Sequence, residues 1–341
     1  MVKTLTTWLI LIVILSLSSL AVAEEPGNPL DAAQFELEEY LETSPNDVAT
    51  LKSLGDLLIL KARIDIWNAT PESDSLKTAR KDIQKAQSCY QQLLELHRKQ
   101  LEAFPKFIDR QDREAYMARR RADERYMQAQ LVHALSLYWE SQTYDAQEQL
   151  RRETLDKAAT EFESIHQKYR SMVAGLYARI WQGKCYEEQG EIGIALGIHE
   201  ELLEHEGSSP TIRNLHNNAL RFRLICLNHK QREDYQLVIQ EGEGWLNESE
   251  AAAETTTGLG IQWEVCRAHE KSGLDPSRPA SFRKAHLIQA VNRASRINQF
   301  DGEFHASSSA MIERVSNVLI NEHRTPPLVS MPHHIRQKPT K

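Results

Sequence analysis

Apolar residues in this chain recur at intervals of three and four, and no run alternates long enough to make a convincing strand. Leu51, Leu54, Leu58 and Ala62 set the pattern, and Ile83, Ala86, Tyr90, Leu93, Leu94 and Leu101 repeat it. Such spacing draws one apolar stripe along a helix, whereas a half-buried strand needs period two. The punctuation agrees. Glycine and proline number only 14 and 12 in 341 residues, which favours long helices over many strands and turns. With 26% charged and 41% hydrophobic residues, the composition is that of an ordinary globular chain. A net charge of −7 argues against a dedicated nucleic-acid binder, which is normally basic.

The N-terminus carries a different signal. Lys3 precedes an apolar run over residues 8–20, and Ala21-Val22-Ala23 supplies the small residues a signal peptidase accepts. The run is shorter than the ~20 residues that span a bilayer. Residues 1–23 therefore read as a signal peptide cleaved after Ala23, with retention as an anchor the alternative. The expectation is a secreted or periplasmic chain with no transmembrane span after cleavage. No cysteine stands at the cleavage point, so a lipoprotein anchor is excluded.

Residues 24–30 are expected as a flexible leader, with Asp31 the N-cap of the first helix. Residues 31–154 read as N-terminal helical repeats with long helices. One helix is expected over 76–104 and another over 110–144, whose first half, QDREAYMARRRADER, is almost wholly polar. Such a stretch projects beyond the core or faces a partner. Arg119, Arg120 and Arg121 are diluted by Asp123 and Glu124, so a solvated face is the better reading. Residues 155–322 read as shorter helix pairs, and 323–341 as an unfolded, basic, proline-rich tail. Cys185, Cys226 and Cys266 follow one another at 41 and 40 residues, each within a helical stretch. They read as one small, buried packing position recurring in successive units, without the close spacing of a redox or zinc motif.

The stretch from Ala178 to Glu206, ARIWQGKCYEEQGEIGIALGIHEELLEHE, holds the repeat in its clearest form. Gly183 and Ala195 let two antiparallel helices approach, Tyr186 and Leu202 fill the space beside them, and Gly190 ends the first helix. This arrangement resembles the tetratricopeptide repeat (TPR), with Arg179, Gln182 and His199 departing from its usual residues. Gly55 after Leu51 and Leu54, and Ala158 with Phe162 and Ile165, resemble further pieces of it. The segment order is also similar to exported bacterial repeat proteins that assist outer-membrane or cell-wall machinery. The resemblance implies an all-α fold of antiparallel helix hairpins stacked as a TPR-like α-solenoid. A single hairpin cannot cover both its apolar sides, so neighbours must stack, leaving a concave groove. In the register of the repeat, Tyr177, Lys184, Glu188, Arg221 and Asn228 face that groove, where a protein or peptide partner would lie.

His199 and His205 in HEELLEH stand six apart, on different helix faces, rather than the four a zinc-protease helix needs. Gly258-Leu259-Gly260 lacks the third glycine of a dinucleotide loop, and no serine elbow or phosphate loop occurs. Glu187 and Glu188 are expected on solvated surface, where nothing raises a pKa. The Asn68-Ala69-Thr70 and Asn247-Glu248-Ser249 sequons matter only in a eukaryotic host. The reading is a non-catalytic, cofactor-free and metal-free scaffold or adaptor that mediates protein–protein interaction in the cell envelope. The rivals are the helical support of an exported enzyme, and a polysaccharide binder using Trp139, Trp181, Trp245 and Trp263.

Overall fold

Asn28 opens the first helix, its side-chain oxygen accepting from the Leu30 N–H at 3.1 Å, and Pro29 takes a first-turn position that needs no donor. The computed structural model describes residues 28–70, 73–109 and 111–324. Twelve α-helices and no strand occur among them. They are α1 (Pro29–Thr43), α2 (Val48–Trp67), α3 (Ser75–Glu102), α4 (Arg113–Ser141), α5 (Gln149–Tyr169) and α6 (Val173–Glu188). There follow α7 (Ile192–Leu203), α8 (Pro210–Asn228), α9 (Tyr235–Glu248), α10 (Thr256–Leu274), α11 (Ala280–Ile297) and α12 (His305–Arg324). The fold is all-α, as the period of the apolar residues requires. No described helix is long and apolar enough to cross a membrane. The signal segment, residues 24–27 of the leader and residues 325–341 of the tail lie outside the described residues.

Several expected boundaries shift. The first helix starts at Pro29 rather than after Asp31, because Asn28 rather than Asp31 caps it. Ser281 was the expected cap of α11, yet Pro279 takes that place and the helix starts at Ala280. α12 runs to Arg324, two residues into the expected tail. Residues 154 and 155, the expected junction of the two halves, lie inside α5. One apolar cluster spans that junction, joining Met127, Ala134 and Tyr138 to Leu155, Ala158, Phe162 and Cys185. Where α6 ends, Gly190 takes φ 82°. The Glu191 N–H then donates to the Tyr186 carbonyl at 2.9 Å and the Gly190 N–H to the Glu187 carbonyl at 3.0 Å. Two carbonyls that would otherwise lack partners are satisfied by a residue without a Cβ penalty.

Each helix packs on its successor, and α2 on α4, α4 on α6, α6 on α8 and α8 on α10 pack as well. No comparable packing joins the odd-numbered helices. Small residues set the closest approaches. A Cβ on Gly55 of α2 would lie 2.5 Å from the Tyr90 ring of α3, and one on Gly183 of α6 would lie 2.7 Å from the His199 ring of α7. Ala158, Phe162 and Ala195 are fully buried, and Tyr186 is half-buried beside Leu224 and Phe222. Gly183 therefore meets His199 and Ile198, one turn beyond the expected Ala195. Gly55→Leu is expected to force Tyr90 aside and cost about 1–3 kcal/mol, the usual price of overpacking. A urea titration measures it, and an unchanged midpoint would show that Tyr90 has room to move.

Candidate functional site

All four cysteines are free and buried. Cys185, Cys226 and Cys266 occupy α6, α8 and α10, and burial pushes the thiols of the latter two up to about 12. They are packing residues, as their spacing predicts. A second series on the same helices was missed in the sequence. Trp139, Trp181, Phe222, Trp263 and Phe304 follow one another at 41 or 42 residues. The first four lie on α4, α6, α8 and α10, and Phe304 directly precedes α12. Ser136, Ala178, Ala219 and Gly260 stand three residues before the first four, all of them buried. A small residue one turn ahead of each aromatic lets the neighbouring even helix approach, and the ring fills the space alongside.

The rings meet in two runs, Trp139–Trp181–Phe222 and Trp263–Phe304, with Phe222 and Phe304 buried and the three indoles half-buried. Trp139 and Trp181 have centroids 6.5 Å apart, Trp181 and Phe222 5.6 Å, and Trp263 and Phe304 6.2 Å. Their planes are tilted by 34–65° to one another. Trp245 stands apart on α9, donating to Asn217 Oδ1 at 2.8 Å. Two arginines flank the strip. The Arg63 guanidinium of α2 lies 4.9 Å from the Trp67 ring centre and 4.6 Å from that of Trp139. Arg221 of α8 lies 5.2 Å from the Phe304 ring centre and donates to Glu303 Oε1 at 2.7 Å. Gly260 makes room for it, since a Cβ there would fall 2.3 Å from Arg221 Nε.

The expected groove residues distribute unevenly around this strip. Arg221 belongs to it, half-buried. Tyr177 is half-buried, its hydroxyl accepting from Asn214 Nδ2 at 2.7 Å across α6 and α8. Asn228 is buried and donates to the Glu264 backbone carbonyl at 2.9 Å and to Glu264 Oε2 at 2.8 Å. It joins α8 to α10 and does not line an open surface. Lys184 and Glu188 are largely withdrawn from solvent, with 11% and 18% of their side-chain surface exposed, in an ionic cluster. Lys184 contacts Glu187 and, at 2.8 Å, Glu188, which also receives Arg151 of α5. The Tyr138 hydroxyl donates to Glu188 Oε1 at 3.4 Å.

This overturns the expectation that Glu187 and Glu188 sit on solvated surface. Arg151 and Tyr138 come from other helices and close over them, which a helical wheel of α6 does not reveal. Burial pushes the Glu187 carboxyl above its ordinary value against the pull of Lys184. Burial acts the same way on Glu188, but there Lys184 and Arg151 outweigh it and hold the carboxyl low. For Lys184 burial opposes the charge, yet the two glutamates leave its pKa well above the usual lysine value. Two cations thus balance two carboxylates, an arrangement that fixes three helices against one another.

Of the other expectations, Arg119 donates to the Pro105 and Lys106 carbonyls, and Arg120 pairs with Glu124 at 3.1 Å. The polar half of α4 is thereby tied to the loop before it. Among the described residues no group of three or more His, Cys, Asp or Glu side chains is arranged to hold a metal ion. No protein-family model, curated protein or solved structure matches this chain.

Proposed function

We propose that this chain is an exported, non-catalytic scaffold, a TPR-like α-solenoid whose concave face holds a segment of another protein. The observation that carries the reading is the aromatic strip, one ring on each of α4, α6, α8 and α10 and a fifth just before α12, at a period of 41 or 42 residues. Packing supports the solenoid arrangement. Even-numbered helices touch their second neighbours and odd-numbered helices lack comparable contacts, so the even row is the short side of a curved stack. Curvature of that sense turns the strip inward. Arg63 lies within electrostatic range of Arg221 and Glu303, groups far away in sequence, which also agrees with an array that curls on itself.

A strip of Trp, Phe and Arg is also what energetic centres of protein interfaces are made of. Aromatic rings with few rotatable bonds lose little entropy on contact, and arginine adds directional hydrogen bonds. The export signal and the likeness to envelope-assisting repeat proteins point the partner to the cell envelope.

The test is a selection of random displayed peptides on the chain lacking residues 1–23. Trp181→Ala is expected to weaken retained peptides at least tenfold. Ile194→Ala, at an exposed position of the odd-numbered helix α7, is expected to leave them unchanged. Equal loss at both positions, or no retained peptide, would overturn the reading.

A further inference from the structure

Arg63 differs from Arg221, the other arginine of the strip, in what surrounds it. The ring of Trp67, one turn on in α2, and that of Trp139 of α4 both lie within 5 Å of its guanidinium carbon. Its Nε is enclosed without an acceptor, and no carboxylate among the described residues pairs with it. Arg221, by contrast, is satisfied by Glu303 at 2.7 Å. Arg63 lies within electrostatic range of both, so two guanidiniums share the field of one carboxylate. The strip therefore carries one unbalanced positive charge at its α2 end. Burial lowers the Arg63 pKa, but an arginine stays protonated at neutral pH, so the charge persists.

The geometry restricts what can answer that charge. Two indoles stand within 5 Å of the guanidinium carbon and Nε is enclosed, whereas the Nη atoms are not among the enclosed, unpartnered ones. An acceptor must approach in the guanidinium plane, and a carboxylate does so with two parallel hydrogen bonds. The neighbouring indoles lower the local dielectric and so strengthen that bond. Next to the acid the partner meets Trp139 and Trp181, which suit an apolar side chain.

We propose that Arg63, between Trp67 and Trp139, is the receptor for an Asp or Glu side chain of the bound partner segment, seated beside an aliphatic or aromatic residue that contacts the strip. This rests on the reading that the even-helix face binds a polypeptide. Arg63 then fixes the register of the segment, and the half-buried indoles of the series supply the remaining contact.

The experiment uses the chain lacking residues 1–23 and the displayed random peptides described above. Peptides retained by the wild type are expected to share an acidic residue beside an apolar one, and those retained by Arg63→Met to lose the acid while keeping the apolar position. One wild-type peptide is then synthesised with its acid, with the corresponding amide, and with an amidated C-terminus, and is titrated by tryptophan fluorescence. Arg63→Met, Arg63→Gln and acid→amide should each weaken binding about tenfold. Combining a variant with the amide peptide should cost little more, which a merely structural role of Arg63 would not produce. Helical circular dichroism and melting of both variants identify any that fail to fold, in which case the amide peptide on the wild type decides. Peptides that lack an acid, or losses that simply multiply, would overturn the proposal and leave the binding face standing. Indifference to the internal acid with loss on C-terminal amidation would also overturn it. Absence of any retained peptide would instead remove the polypeptide-binding reading itself.

Discussion

Lys184→Met is expected to lower the unfolding free energy by about 3–5 kcal/mol, the cost of removing one partner from a buried ion pair. The change leaves Glu187 buried without a cation, while Glu188 keeps Arg151. Glu187 must then take up a proton or expose itself. Denaturant titration measures the loss, and Lys184→Met with Glu187→Gln should recover most of it. The pH range follows from the direction of the lysine shift. Its folded pKa lies above the ordinary 10.5, so its stabilisation is present at all lower pH and is lost only as pH rises through the folded value. In the variant a protonated Glu187 holds a proton that the unfolded chain releases, so the deficit should grow as pH rises above about 5 and level off once Glu187 ionises. A loss below about 1 kcal/mol would mean that water reaches the cluster. Substitution of Lys184 consequently reports on the fold, and Arg63 is the position that reports on a partner.

Acid should destabilise the chain through His199. This ring is buried against Gly183 with neither nitrogen hydrogen-bonded. Burial first, then the nearby Lys184, Arg179 and Arg223, push its pKa down to about 3. A folded pKa below the unfolded value of about 6.5 means that the unfolded chain binds the proton first. Stability is thus full above pH 6.5 and lost as pH falls towards 3, by about 2 kcal/mol at pH 5. His269, whose Nδ1 faces His286 Nδ1 at 3.0 Å, adds to the same trend, since burial and then His286 push it to about 4. His199→Leu should remove the first contribution and flatten the stability profile between pH 7 and 5. It also deletes two unsatisfied nitrogens, so no loss at neutral pH is expected beyond the contact with Phe222. A wild-type slope retained in the variant would place the acid sensitivity elsewhere.

The helices were legible because their apolar periodicity and their punctuation are local. Asp47, Ser209 and Thr255 accept from backbone N–H groups at the starts of α2, α8 and α10, and Gly190 stops α6 where the sequence puts it. The period near 41 was legible in the cysteines. The aromatic series escaped because it mixes Trp and Phe, so identity matching finds only fragments of it. Lys184, Glu188 and Asn228 were read as groove residues from the repeat register. That register fixes the face of a side chain but not what a third helix lays over it.

What the sequence determined by itself is therefore what one turn of helix decides: the all-α class, most helix limits, the buried cysteines and the small residues at close approaches. Only the tertiary structure decided that Arg151 and Tyr138 close over Glu188, and that Arg63 lies between two indoles while Arg221 finds Glu303. Burial and ion pairing depend on groups brought together from distant parts of the chain, and desolvation makes such pairings strong or costly only once those groups meet.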